Sequence, residues 1–364
     1  MFCKECNLVQ LSHVVNPNLM FKNYLYVSST SSVFIKHFES FAADVKKSLG
    51  LNKGDLVIDI GSNDGILLKP FKKIGLNVLG VDPAINVANI ANKNGIKTIC
   101  NYFVPKTAKI MVRNYGQAKV ITAANVFAHT NDWDELVEAV NLTLSDNGVF
   151  IIEAPYLVDF IDKNLFDTIY HEHLSYISIR PLVTFFKKHN MKIFDVKRVD
   201  SHGGSVRIFV KRIDGSYETS PAVNNLIKLE LKMGFNRMKT YLNFGKRIEK
   251  NKNNLKLLLM KLKLKKKRIV GYGAPAKGNT LLNYFDIGPQ IIDYIVDDSK
   301  LKQNLYTPGT HIQVLPPGSL KGDKIDFLFI LAWNFADSII ENNSFLKKNN
   351  VKFIIPVPEP KVVI

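Results

Sequence analysis

The segment that most constrains this chain is a glycine-rich turn, Asp59-Ile60-Gly61-Ser62-Asn63-Asp64-Gly65. It follows an apolar run from Leu56 to Ile60, which predicts a buried strand, and precedes a helical pattern from Ile66 to Ile74. Glycine lets a backbone approach a ligand closely, and the first N–H groups of a helix are free to bind one. The turn therefore predicts a ligand site at the carboxyl end of a strand in an α/β fold.

The alternation of strand and helix continues along the chain. Asn77 to Val81 reads as the next strand, and it ends at Asp82, 21 residues after Gly61. A second strand–glycine–helix opening begins at Arg268. Further strands are predicted at residues 120–124, 149–152, 291–296, 325–331 and 351–355. Strands that alternate with helices predict two parallel sheets, each covered on both faces.

The net charge of +17 over 364 residues suggests a nucleic-acid or membrane partner at first sight. Most of the excess lies in residues 226–268, which hold 15 Lys and Arg against 2 Glu. Leu255, Leu258, Leu259 and Leu262 recur there at helical spacing, which predicts an amphipathic helix with a solvated basic face. No apolar run approaches the roughly 18 residues that span a bilayer. We therefore expect no nucleic-acid partner, no membrane partner and a cytoplasmic location.

The spacing of the first turn distinguishes between cofactors. It reads Asp-x-Gly-x-x-x-Gly rather than the Gly-x-Gly-x-x-Gly of dinucleotide-binding turns. It resembles motif I of class I S-adenosylmethionine-dependent methyltransferases, in which an acid such as Asp82 ends the second strand and can accept from ribose hydroxyls. The resemblance implies S-adenosylmethionine as the cofactor. The expected binding residues are Asp59, Gly61, Asn63, Gly65, Asp82 and Asn125.

The densest group of reactive side chains is Tyr170-His171-Glu172-His173. Histidine is the side chain best suited to proton transfer near neutral pH, and an adjacent carboxylate can orient it. His129 follows the strand at 120–124, and His202 stands beside Gly203. Two histidines with a carboxylate between them also fit a metal site, for which zinc would need a third ligand such as His129 or His202. Both readings remain open at this level.

The second turn, Gly273-Ala274-Pro275-Ala276-Lys277-Gly278, opens a helix as the first one does. Backbone N–H groups at a helix N-terminus suit a diphosphate, and Lys277 adds a positive charge. The alternative is a turn with a purely structural role.

Taken together, these motifs resemble the nucleotide-sugar C-methyltransferases over nearly the whole chain. The motifs that carry the resemblance are Cys3-x-x-Cys6, Tyr24-Leu25-Tyr26, the turn at 59–65, Tyr170-His171-Glu172-His173, His202-Gly203-Gly204-Ser205, Gly271-Tyr272-Gly273-Ala274-Pro275-Ala276-Lys277-Gly278 and Tyr306-Thr307-Pro308-Gly309-Thr310-His311. The resemblance implies a small N-terminal piece at 1–45, a class I methyltransferase Rossmann-like domain at 46–215, a basic helical connector at 216–268 and a second Rossmann-like α/β domain at 269–364 that holds the nucleotide sugar.

The resemblance also implies the reaction, which is C-methylation of a nucleoside-diphosphate 4-keto-deoxysugar. His173 is then the general base, with Tyr170, Glu172, His129 and Tyr24 around the substrate. The residues expected to bind the nucleotide sugar are His202, Gly203, Gly273, Ala274, Lys277, Gly278 and Tyr306.

The cysteines depart from the family pattern. The family binds zinc with two cysteine pairs, and this chain has one, Cys3 and Cys6, with Cys100 alone elsewhere. Tetrahedral zinc needs four ligands. We therefore expect a zinc half-site, and a structural Zn²⁺ only if the missing ligands lie upstream.

Other functions compete with this interpretation, and they include a non-enzymatic module with a degenerate methyltransferase domain and a nucleic-acid methyltransferase. An O- or N-methyltransferase acting on a similar nucleotide sugar would use the same cofactor turn. A nicotinamide oxidoreductase would need Gly-x-Gly-x-x-Gly followed by an acid about 20 residues on, and neither turn has this form. Gly278 comes too late after Gly273, and Asp297 lies 24 residues past Gly273.

Overall fold

A computed structural model describes residues 1–24, 27–30, 32–201 and 203–364. It divides into two compact units. The first comprises Met1–Leu157 and His171–Asn236, and the second comprises Val158–Tyr170 and Arg237–Ile364.

The first unit is built on a seven-stranded mixed sheet. The seven strands of this sheet are β2 (Leu56–Ile60), β3 (Asn77–Asp82), β4 (Thr98–Cys100), β5 (Ala118–Ala124), β6 (Leu144–Pro155), β8 (Met191–Val199) and β9 (Ser205–Arg212). Two short strands, β1 (Val9–Gln10) and β7 (Ser175–Tyr176), pair with each other outside it. The sheet order is β4-β3-β2-β5-β6-β9-β8; neighbours from β4 to β6 are parallel, and β9 pairs antiparallel with both β6 and β8.

Helices flank these strands along the chain. They are α1 (Pro17–Phe21), α2 (Ser32–Leu49), α3 (Leu68–Lys73), α4 (Ile85–Lys93), α5 (Pro105–Tyr115), α6 (Trp133–Thr143), α7 (Leu157–Asp162), α8 (Ile179–Lys188) and α9 (Pro221–Lys232). All of α7 except its first residue belongs to the second unit. The central strands are buried on both faces, with Ile58, Val120 and Phe150 fully excluded from solvent. This is the double burial that a parallel sheet requires.

The second unit repeats this architecture on a smaller scale. Its remaining elements are α10 (Met238–Leu264), β10 (Ile269–Tyr272), α11 (Ala276–Phe285), β11 (Ile295–Val296), β12 (Val314–Leu315), β13 (Phe327–Ile330), α12 (Ala336–Asn342), α13 (Ser344–Lys348), β14 (Lys352–Ile355) and β15 (Lys361–Val363). The order β12-β11-β10-β13-β14 matches β4-β3-β2-β5-β6, and β15 adds an antiparallel edge. In both sheets the strand order reverses beside the first strand, which is where such folds bind ligands.

The predicted α/β class with two Rossmann-like units is confirmed. The predicted strand at 291–296 is shorter, because only Ile295–Val296 pairs with neighbours. The predicted connector at 216–268 does not form a body of its own. Helix α9 belongs to the first unit, where Glu230 accepts from the Tyr156 hydroxyl at 2.9 Å, while α10 belongs to the second. Among the described residues, no helix is long and apolar enough to cross a bilayer.

A buried ionic cluster joins three segments of the first unit around Glu153, which lies near the end of β6. Its Oε1 is 2.5 Å from His37 Nε2 and accepts from Ser201 Oγ at 3.4 Å. Its Oε2 accepts from Arg207 Nε at 2.9 Å, and the Arg207 guanidinium lies 3.7 Å from the centre of the Phe41 ring. Burial alone would raise the pKa of Glu153, but the hydrogen bond from His37 and the charge of Arg207 hold this pKa below its ordinary value.

We predict that Arg207→Met lowers the free energy of unfolding by about 3 kcal/mol, because it leaves the Glu153 carboxylate buried without its cation. Lys197→Met is the matched control. The Lys197–Asp44 pair is 3.9 Å apart and about half exposed on each side, so its loss should cost under about 0.5 kcal/mol. Urea unfolding followed by circular dichroism measures both.

The pH dependence gives a second check on the same pair of variants. A carboxyl with a depressed pKa in the folded state stabilises the fold at neutral pH, and this stabilisation is lost as the pH falls through the folded pKa. The difference between wild type and Arg207→Met should therefore shrink below about pH 4. A difference that is constant down to acid pH would contradict the ionic origin of the effect.

Candidate active site

The first glycine turn lies at the point where the strand order of the first sheet reverses, between β2 and β5. Gly61 and Gly65 have φ values of +64° and +81°, which side chains with a Cβ rarely adopt. The Gly61 N–H donates to Val81 O at 2.8 Å, so the turn is bonded to the end of β3. A Cβ on Gly61 would lie 2.4 Å from Val126 Cγ2, so the segment after β5 packs directly against the backbone of this turn.

Asp82 holds the turn through its carboxylate. Its Oδ2 accepts from the Asn63 N–H at 2.8 Å, and its Oδ1 accepts from the Ala84 N–H at 2.8 Å. Burial raises the pKa of this carboxyl, and the two backbone N–H groups oppose that rise. The acid that the sequence pairs with the turn is therefore bonded to it directly, although the two are 19 residues apart in the chain.

Asp59 is the most strongly perturbed carboxyl of this edge. It is buried, and its Oδ1 accepts from Thr122 Oγ1 at 2.5 Å. Burial, with the nearby charge of Asp82, raises the pKa of Asp59 to about 7 against the opposing effect of the Thr122 hydrogen bond.

Several polar atoms around the turn are buried without a partner. In the part of the chain that the structure describes, these include both carboxylate oxygens of Asp64, Ser62 Oγ and Asn125 Oδ1. Asn125 has a left-handed backbone, with φ of +59°, and its N–H donates to Glu153 O at 2.7 Å. Unsatisfied buried acceptors are costly unless a ligand with donors meets them. The amino, hydroxyl and ammonium groups of S-adenosylmethionine supply such donors, so these residues fit the cofactor.

The N-terminal segment of the chain is bonded to this edge of the sheet. The Ser28 N–H donates to Asn63 Oδ1 at 3.1 Å. The Tyr24 backbone exchanges two hydrogen bonds with the Asn86 side chain on α4, at 3.1 and 2.8 Å. Asn86 was not among the predicted site residues, and no local sequence pattern marks it. Leu25 and Tyr26, part of one predicted motif, lie outside the described residues.

Four of the predicted catalytic residues come together in the first unit. The Tyr24 hydroxyl donates to Glu172 Oε2 at 2.9 Å. The rings of His129 and His173 have centroids 5.0 Å apart, and Phe21 stacks on His129 at 6.1 Å. Burial raises the pKa of Glu172, and the Tyr24 hydrogen bond opposes the rise. The arrangement places two imidazoles in contact, with a carboxyl and a phenol bonded to each other in the same loop cluster.

The remaining residues of the predicted catalytic motif are placed differently. His171 is exposed at the surface of the first unit. Tyr170 is the last residue of the 158–170 segment and belongs to the second unit. His202 lies outside the described residues, while its neighbour Gly203 has φ of +91°.

The second glycine turn repeats the bonding of the first. The Gly273 N–H donates to Val296 O at 2.7 Å, and Gly273 has φ of +87°. Asp297, just after β11, accepts from the Ala274 N–H at 2.6 Å and from the Ser299 N–H at 2.8 Å. Asp297 therefore corresponds to Asp82, although it lies 24 residues after Gly273, whereas Asp82 lies 21 residues after Gly61.

Lys277 is held within a polar cluster of the second unit. Its ammonium lies 4.1 Å from the centre of the Trp333 ring and donates to Asn334 Oδ1. Trp333 Nε1 donates to Asp167 Oδ2 at 2.5 Å, and Asp167 is fully buried. Burial lowers the pKa of Lys277 to about 8 and raises that of Asp167 to about 6, while their mutual attraction opposes both shifts. A diphosphate at this turn would therefore meet a lysine that already has protein partners.

Gly278 and Tyr306, two more of the residues predicted to bind the nucleotide sugar, lie in the same unit. Gly278 lies in α11, where a Cβ would come within 3.1 Å of Leu331 Cβ. Tyr306 is exposed and forms an isolated antiparallel bridge with Gln313.

The predicted zinc half-site forms a tight turn. The Asn7 N–H donates to Cys3 O at 3.0 Å, and hydrogen bonds from the Cys6 and Glu5 backbone lower the pKa of the Cys3 thiol. Backbone donors to thiolate sulfur suit a metal ligand. The described residues contain no group of three or more His, Cys, Asp or Glu that could hold a metal ion. These two thiols therefore do not make a complete tetrahedral site by themselves.

Two family models match this chain, and the boundary between them falls inside the first unit, at the end of β8 and before β9. Residues 34–196 match a family described as a methyltransferase domain, and residues 200–358 match a C-methyltransferase C-terminal domain. The C-methyltransferase NovU of Streptomyces niveus is 36% identical over 99% of this chain and 86% of its own length. A ubiquinone biosynthesis O-methyltransferase of Colwellia psychrerythraea is 23% identical over 39% of this chain and 63% of its own length.

An S-adenosylmethionine-dependent methyltransferase from Clostridium acetobutylicum gives a TM-score of 0.40 at 15% identity, covering 50% of this chain and 92% of its own. The plantazolicin methyltransferase BpumL, in complex with SAH, gives 0.40 at 16% identity, covering 51% and 87%.

We predict that Gly61→Ala weakens S-adenosylmethionine binding at least about tenfold and destabilises the fold, because the Cβ meets Val126 and the φ is strained. Gly50→Ala is the matched control, since Gly50 has nearly the same φ, +61°, with no atom within 4 Å of its Cβ. It should cost about 1 kcal/mol and leave cofactor affinity unchanged. Calorimetric titration with the cofactor measures both. Equal affinity in the two variants would exclude a role for the Gly61–Val126 contact.

Proposed function

Because the chain belongs to the C-methyltransferase family that includes NovU, and is thus an S-adenosylmethionine-dependent C-methyltransferase, we propose that its substrate is a nucleoside-diphosphate 4-keto-deoxysugar. The observation that best supports this proposal is the contact of His129 with His173, at 5.0 Å between ring centroids, in the unit that carries the cofactor turn. Carbon methylation needs a base that can make a carbon nucleophilic, and imidazole is suited to that task near neutral pH.

In the proposed reaction, His173 removes a proton from the carbon beside the 4-keto group. The electron pair of the broken C–H bond passes into an enolate, whose negative charge lies largely on the keto oxygen. When bound, S-adenosylmethionine would supply the electrophilic methyl group, which would pass to the enolate carbon as its bond to sulfur breaks and the neutral thioether S-adenosylhomocysteine leaves. The carbonyl then re-forms, and the proton stays on His173 until solvent removes it.

Stabilisation of the enolate oxygen falls to donors near His173. A preorganised donor to such an oxyanion is commonly worth about 3 kcal/mol. His129 is one candidate, because its ring contacts that of His173. Glu172 is a second, because burial raises its pKa and so extends the pH range in which the protonated carboxyl can donate. The Tyr24 hydroxyl orients Glu172 through their 2.9 Å hydrogen bond. Tyr170 remains a third candidate from the family resemblance.

We further propose that the second unit binds the nucleoside diphosphate at the Gly273 turn. Free N–H groups at the start of α11, a helix of ten residues, suit a phosphate anion. The backbone at Gly273 is closely packed, since a Cβ there would lie 2.8 Å from Ala332 Cβ. This close packing supports a binding role for the turn in addition to its role in reversing the chain. Lys277 adds a positive charge near this turn.

We predict that His173→Asn lowers turnover at least about 100-fold, because it removes the base while keeping a side chain that can hydrogen-bond. His171→Asn is the control, since His171 is exposed, and it should keep most of the activity. The assay incubates each protein with S-adenosylmethionine and a panel of nucleoside-diphosphate 4-keto-6-deoxyhexoses, and mass spectrometry detects the gain of one CH₂. A second readout is exchange of the substrate C–H in D₂O, which only proteins with His173 should catalyse. Less than about threefold loss in His173→Asn would remove this residue from the role of base.

We predict that thymidine diphosphate slows hydrogen exchange in residues 269–364, since its phosphates would bond backbone N–H groups of the Gly273 turn. S-adenosylmethionine should instead protect residues 51–125. The two ligands act as controls for each other on the same protein. Protection by thymidine diphosphate confined to 51–125 would place the nucleotide in the first unit and refute the assignment.

A further inference from the structure

The last turns of α10 expose three large apolar side chains, Leu257, Met260 and Leu264, which are 54, 56 and 83% exposed. At about 100° per residue, they lie within about 60° of one another, on the side of the helix opposite the buried Leu255 and Leu259. We refer to these three residues as the outer stripe. Since the core of the second unit takes the opposite face of α10, the outer stripe contributes nothing to that core.

Five exposed lysines surround the outer stripe. Lys246, Lys250 and Lys261 share its face of the helix by their spacing, and Lys265 and Lys266 follow its last turn. Within the described parts of the chain, none of the five forms an ion pair, so their charge is available to an external anion.

Other lysines of the same region behave differently. Three of them bond to acidic residues of the second unit, at N–O distances of 3.3, 3.3 and 2.8 Å: Lys256 to Asp286, Lys263 to Asp293 and Lys267 to Asp326. The acidic side chains near α10 therefore neutralise its flanks and leave the positive charge concentrated around the outer stripe.

We propose that the outer stripe and its five lysines form a docking surface for an anionic phospholipid membrane. Apolar side chains on one face of a helix can enter the boundary between lipid headgroups and acyl chains. The ammonium groups of the lysines beside them can then bind lipid phosphates. A nucleic acid would attract the lysines equally but would gain nothing from three exposed apolar side chains. The pairing of the two features therefore selects the membrane.

This inference departs from the sequence-based expectation of no membrane partner. That expectation rested on the absence of an apolar run long enough to span a bilayer and on the basic helical stretch, whose apolar positions 255, 258, 259 and 262 predicted a buried side and a merely solvated basic face. The structure buries Leu255 and Leu259 against the second unit and shows a separate apolar row on the outside. The inference is independent of the proposed substrate and of His173, so each can fail without the other.

The test is sedimentation of the full-length protein with vesicles. Vesicles of phosphatidylcholine with added phosphatidylglycerol should pellet the protein, and vesicles of phosphatidylcholine alone should not. The variant Leu257→Ser/Met260→Ser/Leu264→Ser keeps every charge, and its partition onto the anionic vesicles should fall at least about tenfold. The variant Lys261→Gln/Lys265→Gln/Lys266→Gln should lose binding similarly, and the binding of wild type should weaken as salt is raised.

A matched control uses three leucines elsewhere that are equally exposed. Leu19, Leu301 and Leu305 are 82, 57 and 55% exposed, and their joint replacement by serine should leave vesicle binding unchanged. Thermal unfolding of each variant checks that the fold is retained.

Three outcomes would overturn the proposal. The first is undiminished vesicle binding by the outer-stripe variant, which would show that the three apolar side chains do not contribute to binding. The second is tighter binding of wild type to a DNA duplex than to anionic vesicles. The third is a change of oligomeric mass in the outer-stripe variant by light scattering, which would make the surface a contact between copies of the chain.

Discussion

The first unit depends on one carboxylate that holds two backbone segments in place. Asp82 accepts from the N–H groups of Asn63 and Ala84, and so ties the glycine turn after β2 to the loop after β3. Without those bonds, the Asn63 N–H would lose its partner, and the turn would be tied to β3 only through the Gly61 and Ser62 N–H groups, which donate to Val81 O. The loop after β5 is positioned next to this turn, since Val126 packs on Gly61 and His129 follows three residues later.

The second unit uses the same device at Asp297, with the same strand order and the same close approach behind the turn. The two units differ in what surrounds the turn. The first leaves buried acceptors such as Asp64 without partners, as suits a ligand rich in donors. The second fills the space near its turn with Lys277, Trp333 and Asp167. The same backbone plan thus carries two different sets of polar side chains around its glycine turn.

Much of this organisation is predictable from the sequence because it is local. A window of about 20 residues is enough to recognise the glycine turns, the short apolar strands and the acid at position 82. Helix α2 is not predicted from the sequence, although Phe34, Phe38, Phe41 and Val45 recur at helical spacing, because a Tyr- and Ser-rich segment precedes it. The partners of Glu153, the pairing of Asn86 with Tyr24 and the burial of Lys277 join residues far apart in the chain, and no local pattern encodes them. The exposed row on α10 was hidden by the stronger apolar pattern of its buried side.

The Glu153 cluster has a consequence for how this protein can change over generations. One carboxylate serves α2 through His37, the loop before β9 through Ser201, and β9 itself through Arg207. Substitutions at residues that share one partner are not additive. Once one member is lost, the remaining members contribute less to stability, so positions 37, 153 and 207 should change together rather than singly. Among related chains, an altered residue at 207 would accordingly be accompanied by altered residues at 37 and 153.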